Sequence, residues 1–184
     1  MNNRIKAEIV ADSINPQGDR ITTFLLTYPR IIHGEMMSHR VFSRNSASSR
    51  AIPFNKMVEM AQKDPFIPIA WQKGHKGMQG TDYLEEEELQ QAIATWRLAS
   101  MTAINSAKAL HEAGVTKQLC NRILEPFIYH TCLVTSTEFD NFFELRCPKY
   151  YGVYKSQKDL FNNKNLEKRR RCISRIQHNL QLRS

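Results

Sequence analysis

Several features that would indicate a membrane-bound, secreted or metal-binding protein are missing from this sequence. No apolar run approaches the roughly 20 residues that span a bilayer. Residues 1–6 lack the apolar stretch of a secretory signal, so we expect a cytoplasmic protein with no membrane partner. The four cysteines are scattered without a CxxC pair, which argues against a zinc site and predicts reduced thiols. No Walker loop or glycine-rich dinucleotide fingerprint is present.

Acidic residues are scarce in only one part of the chain. Residues 1–146 hold 16 Lys and Arg against 16 Asp and Glu, whereas residues 147–184 hold 10 against 2 and carry the whole net charge of +8. At 184 residues, 41% of them hydrophobic, the chain suits one globular domain with a sizeable core. Any nucleic-acid binding must rest on the basic tail, because the body is neutral.

Hydrophobic periodicity predicts both strands and helices. Strands are predicted over 5–10, 21–28 and 129–135, with a turn at 15–19 that joins the first two as a hairpin. Helices are predicted over 29–39, 54–63, 82–113, 116–124 and 138–146, with an irregular segment over 64–79. The apolar stripe of the longest helix, predicted to face the core, consists of Leu89, Ile93, Trp96, Ala99, Ala103 and Ala107.

The most informative segment runs from Ser38 to Arg50 and packs three arginines, one histidine, one asparagine and five serines into 13 residues. Guanidinium groups offer paired donors to phosphate or carboxylate, and hydroxyl and backbone N–H groups complete an anion cradle. The helix predicted before it would deliver His39 and Arg40 into a flexible loop. The segment therefore predicts a site for a polyanionic ligand; the alternative is an ordinary solvated polar loop.

The order of these residues resembles the hallmark of the flavin-dependent thymidylate synthases, which reads Arg-His-Arg, seven residues, Ser, and often a further Arg two places on. Here Ser38 replaces the first Arg, and His39-Arg40, Ser48 and Arg50 follow in step. Residues 118–127 look like the family's Ala-Arg, aliphatic pair, Leu-Pro segment. Residues 137–146 resemble its helix that carries an Asn, then Phe, and ends in Leu-Arg. The resemblance covers residues 5 to 146 and is nearest to a divergent branch typical of phage genomes.

This resemblance implies a mixed α/β (α+β) fold in which long helices flank a curved mixed sheet. It implies methylation of dUMP to dTMP, with methylenetetrahydrofolate as carbon donor, NADPH as reductant and FAD as hydride carrier. The expected assembly is a homotetramer with shared active sites, in a host cytoplasm if the protein is phage-encoded. We therefore expect an FAD-dependent enzyme whose partners are dUMP, folate and NADPH.

The resemblance also assigns roles to individual residues, with no metal ligand among them. The residues expected to contact FAD are Ser38, His39, Arg40, Ser46 and Asn141. The residues expected to contact dUMP are Glu35, Ser46, Ser48, Arg50, Arg122 and Arg146. Arg146 is the expected catalytic group, because a guanidinium beside the uracil ring stabilises negative charge there and eases hydride attack at C6.

Plainer interpretations remain open for several of these residues. Arg122 is alternatively a salt-bridge partner of Glu125, Asn141 a surface amide, and Arg146 a cation at a helix C-terminus. His33 is interpreted as a packing residue, and His75 and His130 have no partners at ligand spacing. Cys120 and Cys132 are interpreted as small core residues.

The family pattern breaks after Arg146, at the point where the charge changes. We therefore expect a truncated catalytic domain over 1–146 and a basic tail of unrelated character over 147–184. Two further functions stay open: nucleic-acid binding through the cations at 168–171 and Arg175, and an inactive fragment of the synthase. The tail has no stacking aromatics among its cations, which weakens the nucleic-acid hypothesis.

Overall fold

The computed structural model describes residues 4–75 and 82–139 together with Phe142. Across these ranges the chain has the predicted α+β fold, a sheet with helices packed beside it. The described strands are β1 Lys6–Ile14, β2 Arg20–Pro29, β3 Ser43–Ser46 and β4 Tyr129–Ser136. The described helices are α1 His33–Met37, α2 Phe54–Lys63, α3 Glu86–Glu112 and α4 Lys117–Leu124, with 3-10 turns at Arg30–Ile32 and Glu125–Phe127.

The strands lie in the order β1-β2-β4-β3, and each neighbouring pair in the described chain is antiparallel. The expected sheet was mixed; the difference arises because β3 and β4 run in opposite directions instead of forming a parallel crossover. Asn141, Arg146 and residues 147–184 lie outside the described residues, and so does most of the helix predicted over 138–146.

The hairpin predicted at the start of the chain is confirmed. β1 and β2 pair from Lys6 opposite Thr27 to Ile14 opposite Arg20. The Asn15 side chain closes the turn, since its Oδ1 accepts from the Asp19 N–H at 2.7 Å and its Nδ2 donates to the Asp19 carboxylate at 2.9 Å. A strong local turn between an alternating run and a β-branched, aromatic run is enough to fix such a hairpin.

The helix predicted from Pro29 into His39 is wrong in extent. A 3-10 turn and the five-residue α1 replace it, and α1 ends at Met37. The Ser38 hydroxyl donates to the carbonyl of exposed Glu35 at 2.6 Å, and Arg44 Nη1 donates to the Met37 carbonyl at 2.6 Å. These bonds satisfy the last carbonyls of α1 and end it, so His39 and Arg40 follow the helix instead of ending it.

The polar residues Ser43–Ser46, predicted as part of a flexible loop, form the edge strand β3 instead. They pair with β4, from Ser43 opposite Thr135 to Ser46 opposite Cys132. No apolar alternation marks this segment, so local propensity gives no strand signal. The order comes from backbone pairing with a strand about 90 residues further along the chain, which tertiary structure alone supplies.

The helices α2 and α4 are confirmed, and α3 begins at Glu86 where the prediction began at Asp82. The predicted stripe of α3 is partly wrong: Ala99 is exposed, and the buried positions are Ser100, Ile104 and Ala107. Only the C-terminal half of this 27-residue helix packs closely on α2 and α4. The buried face is therefore fixed by that contact and not by the average periodicity of the whole helix.

Two apolar clusters hold these layers together. One lies against the sheet around Leu26, Tyr28 and Phe42, and the other joins α2, α3 and α4 around Met57 and Leu124. Cys120 and Cys132 are buried free thiols within these clusters, as predicted. Among the helices described here, none is long and apolar enough to cross a membrane.

Candidate functional site

The first residues of the Ser38–Arg50 segment, called the motif below, form a turn beyond α1. His39 is half-buried, and its ring centroid lies 5.6 Å from that of Phe42 and 5.1 Å from that of Phe142. Arg40 and Ser38 are exposed. The turn therefore presents a packed imidazole beside a solvent-facing guanidinium.

The second half of the motif continues through β3 into an exposed loop before α2. Ser46 is half-buried and lies opposite Cys132 in the β3–β4 ladder. Ser48 and Arg50 are both exposed, and Arg50 Nε donates to Ser48 Oγ over a long 3.5 Å. Their polar groups are thus free to meet a ligand from solvent.

A buried asparagine joins this loop to the distant helix α4. Asn121 is fully buried, and its Nδ2 donates to the carbonyls of Ser49 at 2.8 Å and Ile52 at 2.9 Å. These two carbonyls bracket Arg50 in the chain, and Arg122 follows Asn121. The contact therefore holds the segments of two exposed arginines against each other, although 72 residues separate them.

The alternative interpretation of Arg122 as the salt-bridge partner of Glu125 is wrong. In the described chain Glu125 pairs with Arg30, whose Nη2 lies 3.8 Å from Glu125 Oε1, and Arg122 stays exposed. The side chain of Arg122 therefore remains available to a ligand.

The motif residues that are most firmly held are two that the resemblance leaves without a role. Arg44 is half-buried and donates to the carbonyls of Met36 and Met37. Ser49 is only 3% exposed, and its hydroxyl donates to the Glu125 carboxylate. These two side chains anchor the motif, whereas most of those assigned to ligands remain exposed or half-buried.

A cluster of polar side chains that sequence reasoning missed lies at the end of β2. Tyr28 Oη lies 2.8 Å from His33 Nδ1, and the rings of His33 and His130 are 4.4 Å apart. Arg30 Nη1 lies 3.0 Å from His130 Nδ1, while its Nη2 faces Glu125. His33 packs against Tyr28 and His130, as a packing residue would, and His130 also meets Arg30, a contact that the sequence did not indicate.

The short spacing of three polar residues along the chain could have revealed part of this cluster. Tyr28, Arg30 and His33 lie close together in the chain, but His130 joins them only because β2 and β4 pair with Tyr28 opposite His130. That register cannot be read from either strand alone.

An open cavity of about 320 Å³ adjoins the cluster. Its walls are formed by Arg30, Ile31, His33, Gly34, Glu125 and Pro126. Across the described part of the chain, no group of three or more His, Cys, Asp or Glu side chains could hold a metal ion.

Burial decides the protonation of this cluster. Desolvation, reinforced by the Arg30 charge, lowers the pKa of His130 to about 3, and the same two causes lower the pKa of His33. Desolvation also raises the pKa of the Tyr28 phenol and of the Cys132 thiol. Both imidazoles are therefore neutral at pH 7, and the guanidinium of Arg30 is the permanent cation beside Glu125.

We expect acid to destabilise the fold through His130. The pKa of His130 in the folded protein, about 3, lies below the ordinary value of 6.5. Between these two pH values the imidazole is protonated in the unfolded chain but neutral in the folded one. Stability is therefore present above about pH 6.5 and is lost as the pH falls toward 3. Between about pH 7.5 and pH 5 this contributes roughly 1–2 kcal/mol, discounted for partial solvent screening.

The measurement is urea unfolding at those two pH values for the wild type, His130→Gln and the control His75→Gln. Gln at 130 keeps an acceptor for Arg30 but does not titrate, so His130→Gln should lose about 1–2 kcal/mol less on acidification than the wild type. His75 is exposed, and its variant should follow the wild type. Parallel acid losses in all three proteins would contradict the assignment.

Comparisons with known proteins bear on the fold. No family model matches the sequence, and no curated protein matches it either. Crystal structures of a UMP/dUMP methylase, PolB from Streptomyces cacaoi, are similar to this chain. The structure bound with 5-Br UMP has a TM-score of 0.56 at 17% identity and covers 73% of this chain and 72% of its own. The structure bound with 5-Br dUMP has a TM-score of 0.55 at 18% identity and covers 76% and 60%.

At such identities the likeness concerns the fold. The chain is therefore similar in fold to a nucleotide methylase, and it spans 60% of the second PolB structure's length. The predicted fold class is confirmed.

Proposed function

We propose that this protein methylates the uracil ring of dUMP to give dTMP, with methylenetetrahydrofolate as carbon donor, NADPH as reductant and FAD as hydride carrier. The observation that carries the proposal is the Asn121 contact, which joins the loop of Arg50 to the helix of Arg122. The sequence resemblance assigns both arginines to one phosphate. The likeness in fold to a UMP/dUMP methylase supports the same substrate class.

The substrate side of the proposal rests on three exposed groups. The Arg50 and Arg122 guanidinium groups and the Ser48 hydroxyl all reach solvent. Guanidinium groups bind phosphate through paired, charge-assisted hydrogen bonds, and a hydroxyl adds one more donor. Half-buried Ser46 and exposed Glu35 are proposed to meet the hydroxyl groups or base edge of the nucleotide, because a carboxylate repels phosphate.

The residues proposed to hold FAD fit that cofactor chemically. Arg40 offers an exposed guanidinium for a pyrophosphate, His39 a ring fixed by two phenylalanines, and Ser38 a hydroxyl. Ser46 and Asn141 are proposed to add polar contacts, the second from outside the described residues. When bound, FAD supplies the hydride; the protein's part is to hold and orient it.

The chain's own catalytic contribution is proposed to come from Arg146. Its guanidinium would stabilise negative charge on the uracil carbonyl and N3 as C6 accepts hydride, so no protein nucleophile is needed. A fixed cation is effective in this role because it requires little reorganisation as the charge develops.

The proposed homotetramer is supported by the exposed surface of the hairpin. In the described sheet β1 is an edge strand, and Ile9, Val10, Ile14 and Ile21 on this hairpin are each between 45% and 68% exposed. An unpaired edge with several apolar side chains is a surface that a second copy can cover.

Isothermal titration with dUMP tests the proposal, and a yellow colour with flavin absorbance in the purified protein would support the cofactor. Arg50→Ala should weaken dUMP binding by about 1.5–3 kcal/mol, the range for a charge-assisted contact. The matched control is Arg97→Ala, which removes another exposed guanidinium, on α3, and should leave the affinity unchanged. Equal dUMP affinity in the wild type and Arg50→Ala would refute the assignment.

A further inference from the structure

Glu125 lies between the loop that contains Ser49 and the polar cluster of Tyr28, Arg30, His33 and His130. Its carboxylate accepts a hydrogen bond from Ser49 Oγ and faces the Arg30 guanidinium at 3.8 Å. Arg30 is in turn held by His130, 3.0 Å from Nη1, and by its own N–H, which donates to the Ile128 carbonyl at 2.9 Å. Glu125 is therefore fixed from two sides.

Ser49 is the loop residue that hydrogen-bonds to this fixed carboxylate. It is 3% exposed, whereas its neighbours Ser48 and Arg50 are both exposed. Asn121 holds the Ser49 carbonyl as well, so both the side chain and the backbone of Ser49 are anchored. Ser49 is therefore buried and anchored, while the side chains of its two neighbours stay exposed to solvent.

We infer that Glu125, acting through Ser49, is a positioning residue that presents Ser48 and Arg50 to the nucleotide phosphate. The inference rests on the proposed function, because it takes dUMP as the ligand. Neither residue touches the substrate; their effect is to order the loop before binding. A loop that is already ordered loses less conformational freedom when the ligand arrives, so its affinity is higher.

The test compares dUMP affinity, measured by isothermal titration, in Ser49→Ala and Glu125→Gln. Ser49→Ala removes the tether and should weaken binding about tenfold, which corresponds to roughly 1.4 kcal/mol. Glu125→Gln keeps an acceptor for Ser49 but loses the charge opposite Arg30, and it should weaken binding several-fold. The control is Ser43→Ala, an exposed serine on β3 in the same polar segment, which should bind like the wild type. Ser49→Thr keeps the hydroxyl and should recover most of the affinity.

A double-mutant cycle with Arg50→Ala separates positioning from a general loss of structure. If Ser49 acts through the loop side chains, adding Ser49→Ala to the Arg50→Ala protein should lower its dUMP affinity at most about threefold. A full tenfold loss in that background, or wild-type affinity in Ser49→Ala, would overturn the inference while leaving the proposed function intact. Absence of dUMP binding in the wild type would overturn both. If thermal melting shows that Ser49→Ala fails to fold, the cycle is run with Glu125→Gln.

Discussion

Replacing Asn121 with Ala should lower the free energy of unfolding by about 2–4 kcal/mol. The side chain is fully buried and donates to the carbonyls of Ser49 and Ile52. Each lost bond costs about 1 kcal/mol, and each carbonyl left buried without a donor adds a desolvation penalty. The loss should be partly offset, because Asn121 Oδ1 is itself buried without a hydrogen-bond partner in the described structure.

Chemical denaturation of three variants checks this expectation. Asn121→Leu has as many side-chain heavy atoms as the wild type and leaves no empty cavity, but it cannot donate, so it separates lost hydrogen bonds from a cavity. The exposed Asn105 on α3 provides the control, and Asn105→Ala should stay within about 0.5 kcal/mol of the wild type. An Asn121→Leu protein as stable as the wild type would show that the two bonds do not hold the loop.

The parts of the fold that follow from the sequence are those fixed locally. The β1–β2 hairpin was predictable because one turn, closed by Asn15, joins an alternating run to a β-branched and aromatic run. Helix α4 was predictable because its apolar spacing is regular and Thr116, whose hydroxyl accepts from the Gln118 N–H, marks its start. Each set of signals lies within one contiguous stretch of the chain, so no distant contact is needed to interpret it.

The parts that could not be predicted depend on pairing between distant segments. β3 is polar throughout and becomes a strand only because β4 offers a free edge. His33 and His130 meet only through the β2–β4 register. The residues next to either histidine in the sequence give no sign of the other, so their contact could not be predicted.

Within the motif, the sequence identifies the polar segment but does not tell which of its residues are structural and which are exposed to a ligand. Arginines and serines with structural and ligand-binding roles are the same residue types, and only burial separates them. Ser49 and Arg44 are drawn into the protein by Glu125 and the α1 carbonyls, while Arg40, Ser48 and Arg50 stay in solvent. That burial depends on the carbonyls of α1 and on Glu125, neither of which is revealed by the spacing of residues within the motif.

For Arg146, the proposed catalytic cation, we expect Arg146→Lys to lower turnover about 100-fold or more, the scale of losing one preorganised stabiliser. Lysine keeps the positive charge but loses the planar pair of donors that can face N3 and its adjacent carbonyl together. The melting temperature should change little, because the charge at this position is retained. Turnover is measured as dTMP formed per folded molecule, and Arg97→Lys, exposed on α3, serves as the control.

The pattern of the two readouts decides between the proposed role of Arg146 and its alternative as a helix C-terminal cation. A cation that only meets a helix dipole contributes about 0.3–1 kcal/mol, and lysine serves nearly as well as arginine there. That role predicts unchanged turnover for Arg146→Lys. Turnover retained in Arg146→Lys, with the melting temperature little changed, would therefore assign Arg146 to the helix end and remove it from the chemistry. A turnover loss at constant melting temperature would require a group that acts on the pyrimidine ring itself.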